Sequence, residues 1–129
     1  MELRAGLTAT VELTVTALDA ADAFGSGDVP VLATPRVVAL VEAATVAAVA
    51  GHLAEGQTTV GTRVELDHVS ATPLGATVTA EATLTTVDGR RLGFDVVLRD
   101  GAVEAAKGRV ERVTVDRERF LARLGERAT

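Results

Sequence analysis

The feature that most constrains the fold is one long stretch with almost no polar side, Thr34–Leu53, which reads TPRVVALVEAATVAAVAGHL. Threonine followed by proline is typical of a helix start, because threonine caps free N–H groups and proline fits the first helical position. Gly51 is typical of a helix end. Within residues 37–50 the one charged residue is Glu42. Since a helix that is apolar on every side belongs inside a protein, we predict a buried central helix, capped by Thr34, that carries one carboxylate.

Five other segments show the alternation of apolar and polar residues that is typical of half-buried strands. Asp88-Gly89 and Asp100-Gly101 are two-residue hairpin signals, and such short turns join antiparallel neighbours. Asp116 is the predicted cap of a short C-terminal helix. We therefore predict an α+β fold in one domain, residues 1–129, with a five-stranded antiparallel sheet wrapped on the central helix. The predicted strands are residues 7–17, 59–69, 76–87, 90–99 and 102–115, and the C-terminal helix is residues 117–126.

The predicted sheet leaves part of the central helix without a partner, because a sheet of five strands covers only one side of a helix. The chain has 129 residues, of which 47% are hydrophobic, and this is enough for a real core. The uncovered apolar side of the helix, or an edge of the sheet, is expected to meet a second subunit. We therefore expect a homodimer.

The residue counts argue against several classes of site and partner. A net charge of −5 gives no basic surface for nucleic acid. There is no cysteine, and the two histidines, His52 and His68, are too few for an ordinary zinc site. The apolar run of the central helix is about 14 residues, whereas a bilayer span needs about 20, and the N-terminus has no signal-peptide pattern. We expect a cytoplasmic protein without a metal, a membrane or a nucleic acid as partner.

Three polar residues lie where the pattern favours apolar ones: Glu42 in the helix, Thr34 at its start, and His68 on the inward face of a strand. Burial raises the pKa of a carboxylate, while a neighbouring histidine or hydroxyl can orient it and keep it ionised. Such a group serves as a general base or a nucleophile. The start of the helix offers N–H groups to a developing oxyanion, and Gly61 permits close approach to the strand backbone. The residues predicted to share the inward face with His68 are Val60, Thr62, Val64 and Leu66.

Each of these residues also has a purely structural interpretation. Glu42 can reach the edge of the helix and pair with an arginine such as Arg112. His68 can be a hydrogen-bonded core histidine, Thr34 can be only a helix cap, and Gly61 can mark a bulge. A catalytic interpretation requires the side chains of Glu42 and His68 to converge on one pocket near the first half of the helix.

Four segments of the chain resemble the corresponding segments of a known protein family. They are ATPRVVALVEAA at residues 33–44, VGTRVELDHVSATPLG at 60–75, VDGRRL at 87–92, and GRVERV at 108–113 followed by Phe120. In these segments the chain resembles the hotdog-fold thioesterases, and within them the fluoroacetyl-CoA thioesterase-like group. The match covers most of the chain from about residue 30 onward. The set of spacings is more specific than any one segment.

The resemblance implies a helix wrapped by an antiparallel sheet, paired as a homodimer, with sites near the subunit interface. It implies hydrolysis of a small acyl-CoA or related thioester, with Thr34, Glu42 and His68 as catalytic residues. It also implies substrate binding by Gly61, which supports the thioester carbonyl, and by Arg112 near the site. No metal or redox cofactor is needed, since coenzyme A is part of the substrate.

The chain departs from the fluoroacetyl-specific pattern in the loop before the helix. That pattern has phenylalanines acting as a lid over the acyl group, whereas this loop reads Phe24-Gly25-Ser26-Gly27-Asp28. The acyl group is therefore not specified by the sequence, nor is the choice between coenzyme A and a protein-bound pantetheine.

Three other functions are compatible with the pattern. One is a non-catalytic hotdog dimer that binds an acyl-CoA or another small ligand. Another is a lyase acting on enoyl thioesters, which would pair an aspartate with a histidine in one segment; Asp67 and His68 are adjacent but point to opposite faces. The third is a purely structural dimer, which leaves Glu42 and His68 without a role.

Overall fold

The computed structural model describes residues 2–128 and is built around helix α2, Thr34–Val49. Before it come strand β1 (Thr8–Thr14), a 3₁₀ turn (Ala17–Asp19) and the one-turn helix α1 (Ala21–Phe24). After it come the strands β2 (Gln57–His68), β3 (Thr77–Asp88), β4 (Arg91–Asp100) and β5 (Val103–Asp116), and the helix α3 (Arg117–Ala128). The predicted order of elements is confirmed. Asp116 Oδ1 accepts the Arg119 N–H at 2.9 Å, as expected of a helix cap.

The five strands form one antiparallel sheet in the order β1-β3-β4-β5-β2, so β1 and β2 are its edges. The predicted alternation is confirmed in β3 and β4, where every second side chain is buried beneath α2. Burial of these apolar side chains holds the helix on the sheet. The buried residues of these two strands are Val78, Ala80, Ala82, Leu84, Leu92, Phe94, Val96 and Leu98.

The start of α2 differs from the prediction that Thr34 caps the helix. The N-cap is Ala33, and its side chain makes no capping hydrogen bond. Thr34 is the first helical residue, and its hydroxyl bonds to His68 on β2 instead of to a helix N–H. The other end confirms the predicted stop at Gly51: the helix ends at Val49, short of Leu53, because Gly51 has a φ of +82°, a conformation that side chains disfavour.

Strand β2 contains a bulge that changes the predicted faces. Gly61 pairs with Arg112 and Arg63 pairs with Glu111, so Thr62 is the extra residue. Directly paired residues share a face of the sheet, and Arg112 is buried on the inner face. The prediction that Val60 and Thr62 share the face of His68 is therefore wrong. The inner face of β2 carries Thr59, Gly61, Val64, Leu66 and His68.

Helix α2 is not covered on all sides by the described chain. Its inner face, which includes Val37, Val41 and Ala44, is fully buried against the sheet. On the other side a row at helical spacing is exposed: Ala39, Ala43 and Val46, the last with 48% of its surface accessible. No helix within residues 2–128 combines the length and the apolarity needed to cross a membrane.

Candidate active site

The first part of the candidate site is a hydrogen bond between the start of α2 and the end of β2. Thr34 Oγ1 lies 2.7 Å from His68 Nδ1. His68 Nε2 is buried and has no hydrogen-bond partner among residues 2–128. Burial lowers the pKa of His68, so its imidazole is neutral at neutral pH. With the proton on Nε2, Nδ1 accepts the Thr34 O–H and Nε2 remains a donor for another group.

A cavity of about 260 Å³ lies beside this hydrogen bond. Thr34 and His68 form part of its wall, and the loop before α2 supplies small or aliphatic residues, among them Ser26, Gly27 and Val29. None of the lining residues is a phenylalanine, tyrosine or tryptophan, and Phe24 lies outside the lining with 45% of its surface accessible. The cavity therefore has room for an acyl group but no aromatic lid within the described chain.

The second part of the candidate site is the ion pair between Glu42 and Arg112. Arg112 Nη1 donates to Glu42 Oε2 at 3.2 Å, and the arginine side chain is only 8% exposed. The same guanidinium donates to the hydroxyl of Thr59 at 2.9 Å and to its carbonyl oxygen at 3.2 Å. Burial lowers the pKa of Arg112 and the Glu42 carboxylate opposes that shift, so the arginine stays cationic. Glu42 therefore pairs with Arg112, as its structural interpretation predicts.

Gly61 is what allows the Glu42 carboxylate to lie against the sheet. A Cβ atom at this position would be 2.5 Å from Glu42 Oε2 and 3.3 Å from Arg112 Nη1. The close approach that a glycine permits is therefore made by the carboxylate of the same chain. Because Gly61 also begins the bulge of β2, the bulge and the glycine together bring Glu42 and Arg112 into contact.

Within one chain the two parts of the site are separate. Thr34 and Glu42 are eight residues apart on α2, which is about 12 Å along a helix. Glu42 is not among the residues that line the cavity beside His68. The predicted convergence of Glu42 and His68 on one pocket is therefore not seen in a single chain.

Asp19 is a residue of this region that the sequence analysis missed. Its carboxylate accepts the Thr16 N–H at 2.9 Å and the Arg36 Nε–H at 2.9 Å, while its carbonyl oxygen accepts the Ala33 N–H at 2.9 Å. The Thr16 N–H and Arg36 hold the pKa of Asp19 below its usual value. These contacts fix the chain where it enters α2 and so help to position Thr34. The available signal was the threonine three residues before an aspartate, a capping-box spacing.

The start of α2 offers one backbone donor. Pro35 has no N–H, and the Arg36 N–H donates to the Ala33 carbonyl oxygen at 3.0 Å. Among the first three helical residues, Thr34 alone keeps an N–H without an acceptor in the described chain. As for metal ions, residues 2–128 contain no group of three or more histidine, cysteine or carboxylate side chains placed to hold one.

Comparison with known proteins gives concordant matches. The family model of the fluoroacetyl-CoA-specific thioesterase matches residues 15–118. A fluoroacetyl-CoA thioesterase from Streptantibioticus cattleyicolor is 40% identical over 97 residues, which are 75% of this chain and 70% of that protein.

Two solved structures extend the likeness to the fold. A variant of the fluoroacetyl-CoA thioesterase FlK in complex with acetyl-CoA has a TM-score of 0.90 at 32% identity, over 98% of this chain and 100% of that one. A hot-dog-like protein from Thermanaerovibrio acidaminovorans has a TM-score of 0.87 at 24% identity, over 95% and 91% of the two chains. The hotdog fold predicted from the sequence is confirmed.

Proposed function

This chain belongs to the fluoroacetyl-CoA-specific thioesterase family, and on that basis we propose that it hydrolyses the thioester bond of a small acyl-CoA. The observation that carries the proposal is the hydrogen bond between Thr34 and His68 beside a cavity of about 260 Å³. A neutral histidine that is bonded to a hydroxyl, and has its second nitrogen free, is equipped to move a proton. The cavity supplies space for the acyl group next to that histidine.

In the proposed reaction Glu42 is the base. It takes a proton from a water molecule whose oxygen attacks the thioester carbon, and negative charge develops on the carbonyl oxygen. When the tetrahedral intermediate collapses, the C–S bond breaks, and the departing thiolate of coenzyme A receives, by way of His68, the proton that Glu42 took from water, so that Glu42 is again a carboxylate. In the alternative route Glu42 itself attacks the carbonyl carbon, the thiolate leaves, and water opens the resulting anhydride. Both routes give a carboxylic acid and free coenzyme A, and neither needs a metal or redox cofactor.

Thr34 and Gly61 have supporting roles in this scheme. The free N–H of Thr34, at the positive end of α2, is suited to donate to the carbonyl oxygen as it gains charge. The hydroxyl of Thr34 orients the His68 ring through the 2.7 Å hydrogen bond. Gly61 leaves the space in which the Glu42 carboxylate lies, and Arg112 orients that carboxylate through their ion pair.

We further propose that a complete site forms between two copies of the chain. Each copy carries both pairs, Thr34–His68 and Glu42–Arg112, and the two helix residues among them, Thr34 and Glu42, are about 12 Å apart along α2. A homodimer can place the Glu42–Arg112 pair of one copy next to the Thr34–His68 pair of the other. Two features support such a dimer: the edge position of β2, whose backbone groups can pair with another strand, and the exposed apolar row on α2.

The acyl group is proposed to be small but not restricted to fluoroacetyl. The cavity wall contributed by the loop before α2 contains Ser26 and Gly27, and no phenylalanine of the described chain lines it. We expect acetyl-CoA and slightly longer acyl-CoA thioesters to fit as well as fluoroacetyl-CoA.

The decisive experiment compares the parent with Glu42→Gln and His68→Ala on a panel of short acyl-CoA thioesters, with release of free thiol as the readout. Each variant should lose activity by roughly 10²-fold or more, as is typical when a general acid or base is removed. Glu12→Gln is the matched control, because Glu12 is exposed on the outer face of β1. If both variants hydrolyse thioesters like the parent, the proposed mechanism is wrong.

A second candidate function is favoured by one observation, the ion pair that already occupies the Glu42 carboxylate. In a non-catalytic dimer that binds an acyl-CoA, the Glu42–Arg112 ion pair would only hold α2 against β5. That function predicts a rise in melting temperature on addition of acyl-CoA with no release of thiol. Release of thiol by the parent at a rate that Glu42→Gln abolishes would rule it out.

A further inference from the structure

The first turn of α2 is held from outside the helix by Asp19. The Ala33 N–H donates to the Asp19 carbonyl oxygen at 2.9 Å, and the Arg36 Nε–H donates to the Asp19 carboxylate at 2.9 Å. The ion pair is largely shielded from water, since the Arg36 side chain is 29% exposed and that of Asp19 is 11% exposed. The helix is therefore fixed at residue 33 through the backbone and at residue 36 through a side chain, and Thr34 lies between these two contacts.

These two contacts take the place of a capping side chain. The N-cap residue is Ala33, and no side chain caps the helix there. A threonine at the start of a helix commonly turns its hydroxyl to a free backbone N–H of the first turn. Because Asp19 already holds that turn, the helix start does not depend on the Thr34 hydroxyl, which bonds to His68 Nδ1 at 2.7 Å instead.

Asp19 also lies at the base of the loop that forms one wall of the cavity beside His68. Residues 20–33 leave Asp19 and return to it, and an antiparallel bridge joins Ala20 to Leu32 near the base. Leu32 lines the cavity, and its N–H donates at 2.9 Å to a carbonyl oxygen four residues after His68. The contacts of Asp19 therefore fix the start of α2 and the base of the cavity wall together.

We propose that Asp19 and Arg36 form a positioning pair for the reaction, which holds the first turn of α2 so that the Thr34 hydroxyl is directed at His68. For its effect on turnover this inference rests on the proposed function. Neither Asp19 nor Arg36 lines the cavity, so neither touches the acyl group, and both act through Thr34. Loss of either partner leaves the first turn without its side-chain contact, and the Thr34 hydroxyl then turns away from His68.

Nitrogen NMR of the His68 ring tests the positioning pair without any turnover. In a chain with isotope-labelled histidine, the resonance of His68 Nδ1 reports whether that nitrogen accepts a hydrogen bond. Thr34→Val removes the hydroxyl and defines the position of the unbonded signal. Arg36→Met and Asp19→Asn should each move the Nδ1 signal most of the way toward that position. His52, the second of the two histidines, lies beyond the other end of α2 and should keep its signals in every variant.

Each variant is chosen to remove one contact and little else. Arg36→Met keeps the apolar stem of a side chain whose guanidinium donates only to Asp19 in the described chain, and Asp19→Asn keeps an oxygen for the Thr16 N–H. The matched control is Asp95→Asn, which breaks an exposed ion pair with Arg109 on the outer face of the sheet and should leave all histidine signals unchanged.

Melting curves show which variants are folded, and Arg36→Met alone decides if Asp19→Asn does not fold. A folded Arg36→Met chain whose Nδ1 signal equals that of the parent overturns the proposal. An Nδ1 signal that Thr34→Val fails to move overturns it as well, because the hydrogen bond that the pair is proposed to position would then be absent.

Kinetics separate this inference from the proposed function. With a short acyl-CoA, Arg36→Met and Asp19→Asn should each lower kcat by roughly tenfold or more and leave KM unchanged, because a positioning pair affects the reaction and not binding. The double variant should be no slower than the slower single variant, since both changes break the same contact. Losses that multiply in the double variant, or a raised KM with the parental kcat, overturn the positioning role and leave the hydrolase proposal intact. A parent that hydrolyses no thioester overturns the hydrolase proposal, and the NMR experiment still decides the positioning pair.

Discussion

The carboxylate of Glu42 occupies the space that a side chain at position 61 would fill. A Cβ at Gly61 would lie 2.5 Å from Glu42 Oε2, well inside the contact distance of real Cβ atoms. The absence of a side chain on β2 is thus what lets a carboxylate from α2 reach Arg112 on β5. The contact between Glu42 and Arg112 therefore depends on Gly61, and mutation can test this dependence.

Gly61→Ala should displace the Glu42 carboxylate and weaken its ion pair with Arg112. We expect a loss of about 1–3 kcal/mol in the free energy of unfolding, as is typical of overpacking, and a fall of roughly tenfold or more in thioesterase kcat/KM. Urea denaturation and a thiol-release assay measure the two effects. The control is Gly125→Ala in α3, where a Cβ meets nothing within 4 Å and stability should be unchanged or slightly higher. Equal behaviour of the two variants would contradict the role given to Gly61.

Arg112→Ala should destabilise the chain more than removal of any exposed arginine. The buried guanidinium binds Glu42 and two oxygens of Thr59, all of which lose their donor. Because the Glu42 side chain is 35% exposed, water compensates part of the loss, and we expect about 2 kcal/mol. Arg63→Ala is the comparison, since Arg63 pairs with Glu65 on the surface, where water screens the pair, and its removal should change stability far less. Similar losses in both variants would argue against the buried pair.

Mixed dimers of Glu42→Gln and His68→Ala chains test the assembly of the site. If the site combines Glu42 of one copy with His68 of the other, each mixed dimer has one intact site and one doubly altered site. Random mixing of equal amounts should then restore about a quarter of the parental activity. Each variant alone is the control and should remain inactive. A mixture that stays inactive, although exchange of subunits is demonstrated, would place the Glu42 and His68 of each site in the same chain.

His68 should make the chain less stable at acid pH. Burial lowers the pKa of His68 below its usual 6.5. As pH falls through 6.5 the unfolded chain takes up a proton that the folded chain does not yet bind, so the free energy of unfolding decreases until the folded pKa is passed. His68→Gln removes this titration, and the parent should therefore lose more stability than the variant between pH 7 and pH 5. Urea midpoints at the two pH values measure the difference, and identical losses would show that His68 is not protected from protonation.

Much of the fold could be predicted because its signals are local. The alternation in β3 and β4 identified the buried side chains, and the Asp-Gly turns identified the hairpins. The bulge at Thr62 escaped prediction, because a bulge depends on the partner strand and not on the period of its own strand. For the same reason the prediction that Val60 shares the inward face of His68 is wrong.

The candidate site, like the fold, could be predicted only in part from the sequence. Its residue types were evident as polar positions in apolar segments, and the Thr34–His68 contact agrees with the predicted grouping of those two residues. The separation of Glu42 from His68 was not evident. It depends on where β2 crosses α2, and that crossing is set by packing of the whole sheet against the helix.

The sequence by itself determined the helix, the strands, the single carboxylate on the helix and the inward direction of His68, since each follows from the pattern along one segment. Only the tertiary structure decided which groups Glu42 and Thr34 contact. A carboxylate binds whichever donor the fold brings within reach, and here the bulge of β2 and the missing side chain of Gly61 bring Arg112. A threonine hydroxyl at a helix start can cap the helix or bond across to a strand. The end of β2 lies close enough to α2 for His68 to take that bond.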